Sequence, residues 1–142
     1  RENATPDWVI KVARQGKPLK LVTDKVGSPS YSVDIATAVA GLFFNEAAKG
    51  VLHLSNSGDC TWIEWARECL EAARDEGLLE AVPEVDGWTL EECFAGKAPR
   101  PRYSVMANDR YRELSGNSLR PWQEGLRDYV TDVVAPRERA GN

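Results

Sequence analysis

Two stretches of this chain carry residue types that can hold a polar ligand. Asp24-Lys25-Val26-Gly27-Ser28-Pro29-Ser30-Tyr31 joins a short apolar run to a long helical pattern, and Arg100-Pro101-Arg102-Tyr103-Ser104 follows much later. A strand that ends in Gly27-Ser28-Pro29-Ser30 and feeds a helix sets backbone N–H groups, Ser28, Ser30 and Tyr31 at the carboxyl edge of a sheet, where ligands of α/β proteins collect. An ordinary tight turn capped by Ser32 has the same local pattern. Lys97, Arg100, Arg102, Arg110 and Arg112 are opposed nearby only by Asp109 and Glu113, a local cationic patch in which arginine suits bidentate phosphate contact. A solvated charged face has that composition too.

Other chemistries have less support. There is no Gly-x-Gly-x-x-Gly, no Walker-type loop, and no Tyr-x-x-x-Lys at Tyr31, Tyr103, Tyr111 or Tyr129. His53 is the sole histidine, which excludes clusters of several histidines on a metal; lying in an apolar strand pattern, it reads as a buried structural residue. A Cys/His pair using Cys60 has nothing to position it. Of the five tryptophans, Trp8 and Trp65 lie on apolar faces and read as core, and Trp62, Trp88 and Trp122 stay open between core and a carbohydrate platform.

The elements around these stretches follow from periodicity and caps. Thr5 as N-cap, Pro6 at the first helical position and the stripe Trp8, Val9, Val12 and Ala13 predict a short helix ended by Gly16. Leu19 to Thr23 alternates as a half-buried strand. Ile35, Ala36, Val39, Ala40, Leu42 and Phe43 predict a helix apolar enough to be buried on two sides, and Val51 to Leu54 a second strand, together a right-handed βαβ unit with parallel pairing. Thr61 and Glu64 form a capping box, with Cys60 and Trp65 at the staple positions, for a helix reaching about Gly77. From Ala81 to Arg102 the pattern predicts an irregular excursion with one helical turn starting at Thr89. A short helix from Asn108 to Leu114 and a last one from Pro121-Trp122 to about Val133 complete a domain over 1–134, and the polar residues 135–142 read as a disordered tail.

With 142 residues and 42% hydrophobic content, the chain suffices for one domain with a real core and is too short for a complete two-domain nucleotide-dependent enzyme. A net charge of -4 and a pI near 5.1 argue against nucleic acid or an anionic membrane as partner. Cys60, Cys69 and Cys93 are odd in number and lack CxxC spacing, which disfavours a disulfide framework or a zinc site and fits a reducing cytoplasm. No apolar run approaches a membrane span and no leader pattern opens the chain, which begins at Arg1 as an excised piece would.

Taken in order, the segments Asp7-Trp8-Val9, Asp24 through Tyr31, Leu52-His53-Leu54, Trp62 through Ala66, Arg100-Pro101 with Ser104, and Trp122 through Leu126 resemble the back half of the dTDP-4-dehydrorhamnose reductases, of the extended short-chain dehydrogenase type. The chain departs from that family's pattern at Asp7 (usually Asn), Lys25 (Gln), Ser30 (Thr) and Pro99 (Lys or Arg). The resemblance implies an α/β fold, the C-terminal part of an extended short-chain dehydrogenase: helix-rich with a few short parallel strands, lacking the N-terminal Rossmann part. It further implies NADPH-dependent reduction of the C4 keto group of a dTDP-activated 6-deoxy sugar, with the catalytic Tyr, Lys and Ser/Thr in a front half that is absent here. NADPH then belongs to the full-length family and is not expected to bind this chain alone. By the same resemblance Gly27, Ser28, Pro29, Ser30 and Tyr31 lie near the substrate, Arg100 near its diphosphate, and Ser104 orders the Arg100 segment. The alternative is a non-catalytic regulatory or interaction module of the same fold family. Either way, the implied partners are a dTDP-sugar and the absent N-terminal half. A strand edge and an apolar helix face left bare by that absence predict self-association, with a homodimer as one form.

Overall fold

The computed structural model describes residues 5–141. Leu19, Leu21 and Val22 are buried along β1 (Leu19–Val22), and what pairs with them decides the architecture. Their partner is β4 (Val85–Trp88), in parallel register from Leu19 opposite Val85 to Val22 opposite Trp88. This strand falls inside the stretch expected to be irregular, because Val85-Asp86-Gly87-Trp88 has too little alternation to announce itself. Gly87 is required there: a Cβ at this position would sit 2.5 Å from Thr23 Cγ2. The segment expected as the second strand, Val51 to Leu54, forms no strand and has no strand partner among the described residues. The expected βαβ unit is therefore replaced by a parallel pair closed over a much longer connection. Leu52 and Leu54 pack partly inward while His53 points to solvent, which corrects its reading as a buried residue.

Helices cover this pair. α1 (Thr5–Arg14) and α3 (Trp62–Asp75) pack with β1, β4 and α6 (Trp122–Tyr129) around Val9, Ile10, Cys69, Leu70, Val85, Trp122 and Leu126. Thr5 is the first residue of α1, so its expected capping role is not met. Trp8, read as core, is 48% exposed because the helix turns Val9 and Ile10 toward α3 instead. The α3 start is as its residues dictate: Thr61 Oγ1 accepts from Glu64 N–H (3.3 Å) and Thr61 N–H donates to Glu64 Oε2 (2.7 Å). A second box of the same kind, Thr89 with Glu92, opens α4 (Leu90–Cys93), the one turn expected there.

A smaller apolar cluster joins α2 (Ser32–Leu42) to α5 (Asp109–Ser115) through Ala38, Leu42, Tyr111 and Leu119. Only one face of α2 is covered. Val33, Val39, Phe43, Phe44 and Val51 are exposed, where burial on two sides was expected, because α5 and its neighbours lie against one flank only. Past α6 the helix continues as a π turn over Val130–Val134 and then α7 (Ala135–Ala140). Pro136 has no N–H to give to the preceding turn, so a slipped ladder is a natural entry to it. The expected disordered tail is thus helical through Ala140. Ala135 is buried, Arg137 pairs with Asp7, Glu138 with Arg14, and Arg139 with Glu76 (3.0 Å), enough ties to hold a polar segment in place. No helix among the described residues is long and apolar enough to cross a membrane.

Ser55 and Asn56, each 1% exposed, are the polar residues buried between the two clusters. Asn56 Oδ1 accepts from Tyr31 N–H (2.8 Å), and its Nδ2 donates to Asp34 Oδ2 (2.6 Å) and to the Arg120 carbonyl (3.2 Å). Arg120 in turn reaches Asp34 (2.9 Å) and Asp128 (2.6 Å). Ser55 is clasped by Asn108, whose Oδ1 accepts from Ser55 N–H (3.0 Å) and whose Nδ2 donates to the Ser55 carbonyl (2.8 Å). Burial by itself would push the Asp34 carboxyl up, but hydrogen bonds from Arg120 and Asn56 and the Arg120 charge outweigh it and hold the group below the usual aspartate value.

Asn56→Ala leaves the buried Tyr31 N–H without its partner and takes one of two or more partners from the Asp34 carboxylate and the Arg120 carbonyl, and is expected to cost about 1–3 kcal/mol by urea denaturation; a loss below about 0.5 kcal/mol would show the amide to be dispensable. Since the folded state depresses the Asp34 pKa, its contribution is fully present above about pH 4 and is lost as pH falls toward the folded value. Stability of wild type should therefore decline more steeply below about pH 4 than that of Asp34→Asn, as read by melting temperature against pH.

Candidate functional site

β2 (Val26–Gly27) is a two-residue strand, yet it brings together the two stretches expected to hold a ligand. It pairs antiparallel with β3 (Cys60–Thr61) and parallel with β5 (Tyr103–Ser104), which places Gly27 opposite Ser104. Val26 N–H donates to the Arg102 carbonyl (2.7 Å), Lys25 Nζ to the Pro101 carbonyl (2.9 Å) and Ser104 Oγ to the Val26 carbonyl (3.2 Å). Asp24 braces the opposite side, accepting from Leu90 N–H at 2.6 Å and facing Arg102 Nε at 3.5 Å. Ser28 Oγ accepts from Met106 N–H (3.2 Å), which leaves its own O–H available as a donor, while Ser104 Oγ, already donating, keeps lone pairs to accept.

The expected binding residues fall into three adjoining clefts. Gly27, Ser28, Pro29 and Ser104 line a cleft of about 410 Å³ with Trp62 and Trp65. Across Pro29, Ser30 and Tyr31 face a cleft of about 350 Å³ walled by Trp65, Trp122, Gly125 and Tyr129. A Cβ at Gly125 would lie 2.8 Å from Tyr31 Cβ, so the bare glycine lets α6 approach the loop. Burial first, then the charges of Asp132, Asp128 and Asp34, push the Tyr31 hydroxyl up, which keeps it a neutral donor. Arg100 lies in a third cleft of about 430 Å³ beside Phe94, Lys97 and Arg102. Trp62 and Phe94 meet edge to face (6.4 Å between centroids, 75° between planes), and this aromatic pair joins the first and third clefts.

The cationic patch divides. Lys97, Arg100 and Arg102 share the third cleft, whereas Arg110 donates to the Val51 carbonyl (2.6 Å) and to the Lys49 carbonyl, and Arg112 pairs with Asp109 (3.0 Å). Those last two are structural. The open tryptophans also resolve: Trp122 is core at 5% exposure, Trp88 is half-buried with Lys20 Nζ 5.1 Å from its ring, and Trp62 walls a cleft. Cys60 is buried and its thiol is pushed up to about 12, by burial first and then by the charges of Glu64 and Asp59, so it is no nucleophile near neutral pH. Phe94 carried no sequence signal because it sits in the stretch without periodicity. Trp62 was marked as one of the tryptophans open to a carbohydrate platform and as the start of a segment of the family resemblance, inside the Thr61–Glu64 box. Neither a glycine-rich strand-to-helix loop nor Tyr-x-x-x-Lys occurs in the chain.

Known proteins share this fold and much of this sequence. A family model described as RmlD substrate binding domain matches residues 1–135. SpsK of Bacillus subtilis, a spore coat polysaccharide biosynthesis protein, is 40% identical over 126 residues, covering 89% of this chain and 41% of its own length. A dTDP-4-dehydrorhamnose reductase from Clostridium acetobutylicum superposes with a TM-score of 0.77 at 31% identity, over 93% of this chain and 44% of that one. The Bacillus anthracis dTDP-4-dehydrorhamnose reductase in complex with NADP gives 0.79 at 26% identity, over 92% and 44%. The chain thus spans about two-fifths of the length of the relatives it matches. A strand-loop-helix bearing Gly27 to Tyr31, tied to an Arg-Pro segment and matched along nearly its whole length, leaves one conclusion: this chain belongs to the RmlD substrate binding domain family.

Proposed function

We propose that the chain is the sugar-nucleotide-binding portion of an NADPH-dependent reductase of a dTDP-4-keto-6-deoxy sugar, of the kind used to make dTDP-L-rhamnose, and that it is inactive without an N-terminal cofactor-binding half. The observation that carries the reading is the pairing of Gly27 with Ser104, which sets a hydroxyl-rich cleft beside the cleft that contains Arg100. Ser28 as donor and Ser104 as acceptor suit sugar hydroxyls, with Trp62 and Trp65 offering apolar faces to a sugar or base. Arg100 makes no ion pair among the described residues and suits a diphosphate. Pro29, Ser30 and Tyr31 shape the loop from its other side. Hydride transfer to the keto carbon and protonation of its oxygen belong to groups outside these residues, and a cytoplasmic location goes with that chemistry.

The exposed apolar face of α2, with Val33, Val39, Phe43 and Phe44, is on this reading the seat of the N-terminal half. Without that half, the chain is expected to self-associate, a homodimer being the simplest form. Sedimentation velocity should show concentration-dependent association that Phe43→Ser/Phe44→Ser abolishes, and a monomer at all concentrations would refute it. Calorimetric titration with dTDP and dTDP-rhamnose should give saturable binding that Arg100→Ala weakens at least roughly 10-fold, about 1.4 kcal/mol. Equal affinity in wild type and Arg100→Ala would sink the diphosphate role.

A further inference from the structure

Phe94 has two cations on its ring. Arg100 Cζ lies 4.2 Å from the ring centroid and Lys97 Nζ 5.6 Å, both within cation–π range. Among the described residues neither side chain forms an ion pair or donates a hydrogen bond to a carboxylate, although Glu91 lines the same cleft. Their neighbour Arg102 differs, being drawn to Asp24 at 3.5 Å. Two unpaired positive charges gathered at one ring repel each other, and an aromatic quadrupole offsets only part of that repulsion. An anion placed between them would supply the rest.

At 4.2 Å from the centroid the Arg100 guanidinium is close enough to lie on the ring. A guanidinium laid on a ring uses its face, so its N–H groups point outward in the plane and can meet a phosphate edge on; a lysine ammonium over the ring likewise keeps donors for an anion. The ring itself is held, because Phe94 caps the short α4 and abuts Trp62, the first residue of the boxed α3. From this we infer that Phe94 is a positioning residue that fixes Arg100, and that Lys97 is a second contact to the same anion, a diphosphate group. The inference rests on the reading of Arg100 as the diphosphate contact and adds to it the device that orients the arginine and the partner that shares the charge.

The test has a structural arm and a binding arm. In side-chain proton–carbon spectra, the Arg100 δ and Lys97 ε methylenes should be shifted upfield by the ring, and Phe94→Leu should remove both shifts. Unshifted methylenes in wild type would overturn the arrangement whatever binds. Inorganic pyrophosphate and dTDP are then titrated into wild type, Phe94→Leu, Phe94→Tyr, Lys97→Gln and Arg100→Ala, each shown to be folded by circular dichroism. Phe94→Leu should weaken both ligands roughly 3- to 10-fold, with Phe94→Tyr restoring them. Lys97→Gln should weaken binding and flatten its dependence on ionic strength. Loss in Arg100→Ala with wild-type affinity in Phe94→Leu and Lys97→Gln would overturn this inference and leave the sugar-nucleotide reading standing. Phe94-dependent binding of pyrophosphate with no preference for dTDP would support the clamp and overturn the sugar-nucleotide reading. Binding of neither ligand by folded wild type would overturn both.

Discussion

A single buried amide decides how the halves of this molecule meet. Asn56 sits in a dry seam, and burying an unpaired amide is costly, so each of its polar atoms must find a partner. Those partners come from separate places: the Tyr31 backbone at the entry to α2, the Asp34 carboxylate one turn on, and the Arg120 carbonyl ahead of α6. Satisfying one side chain therefore brings the end of the Gly27 to Tyr31 loop, the second helix and the chain leading into α6 to one point. Arg120 reinforces the seam by bridging Asp34 and Asp128. Ser57 adds backbone bonds on the same line, its N–H to the Arg120 carbonyl and its carbonyl from Trp122 N–H, at 2.9 and 3.0 Å.

The site is built on this frame by very short strands. Four backbone positions in β2 and β5 align the Asp24–Tyr31 and Arg100–Ser104 stretches, and side chains from Asp24, Lys25, Ser28 and Ser104 stitch them where the ladder is too short to do so alone. Small residues do the rest. Gly27 keeps the floor of the first cleft open, and Gly125 lets α6 close against Tyr31.

Features with a local physical cause were legible in the sequence. The Thr61–Glu64 box, the Thr89 turn, the strand at Leu19 and the loop after it each follow from residues within a few positions of one another. What escaped depends on partners far along the chain. Val51 to Leu54 has strand composition, but composition cannot supply a neighbour to pair with. Val85-Asp86-Gly87-Trp88 lacks that composition and is a strand because β1 offers an edge beside it. The tail past Val134 looks solvent-bound from its charges, yet those charges find Asp7, Arg14 and Glu76 on the main body. The grouping of Gly27, Ser28 and Ser104 was foreshadowed by the family resemblance, whereas the place of Phe94 under Arg100 was not, since nothing near it in sequence marks an aromatic as a platform.

The parallel pairing of β1 with β4, and of β2 with β5, also bears on how the molecule forms. Neither pair can be closed by a hairpin; each closes a loop of about half the chain, and the entropy of closing such loops must be met before the contacts return anything. Helices α1 and α3 can form early from local signals, but the cleft at Gly27 has no existence until Tyr103 and Ser104 arrive. In such a topology the cleft takes shape only when segments distant in the chain have met, so its geometry depends on tertiary structure and not on any local signal.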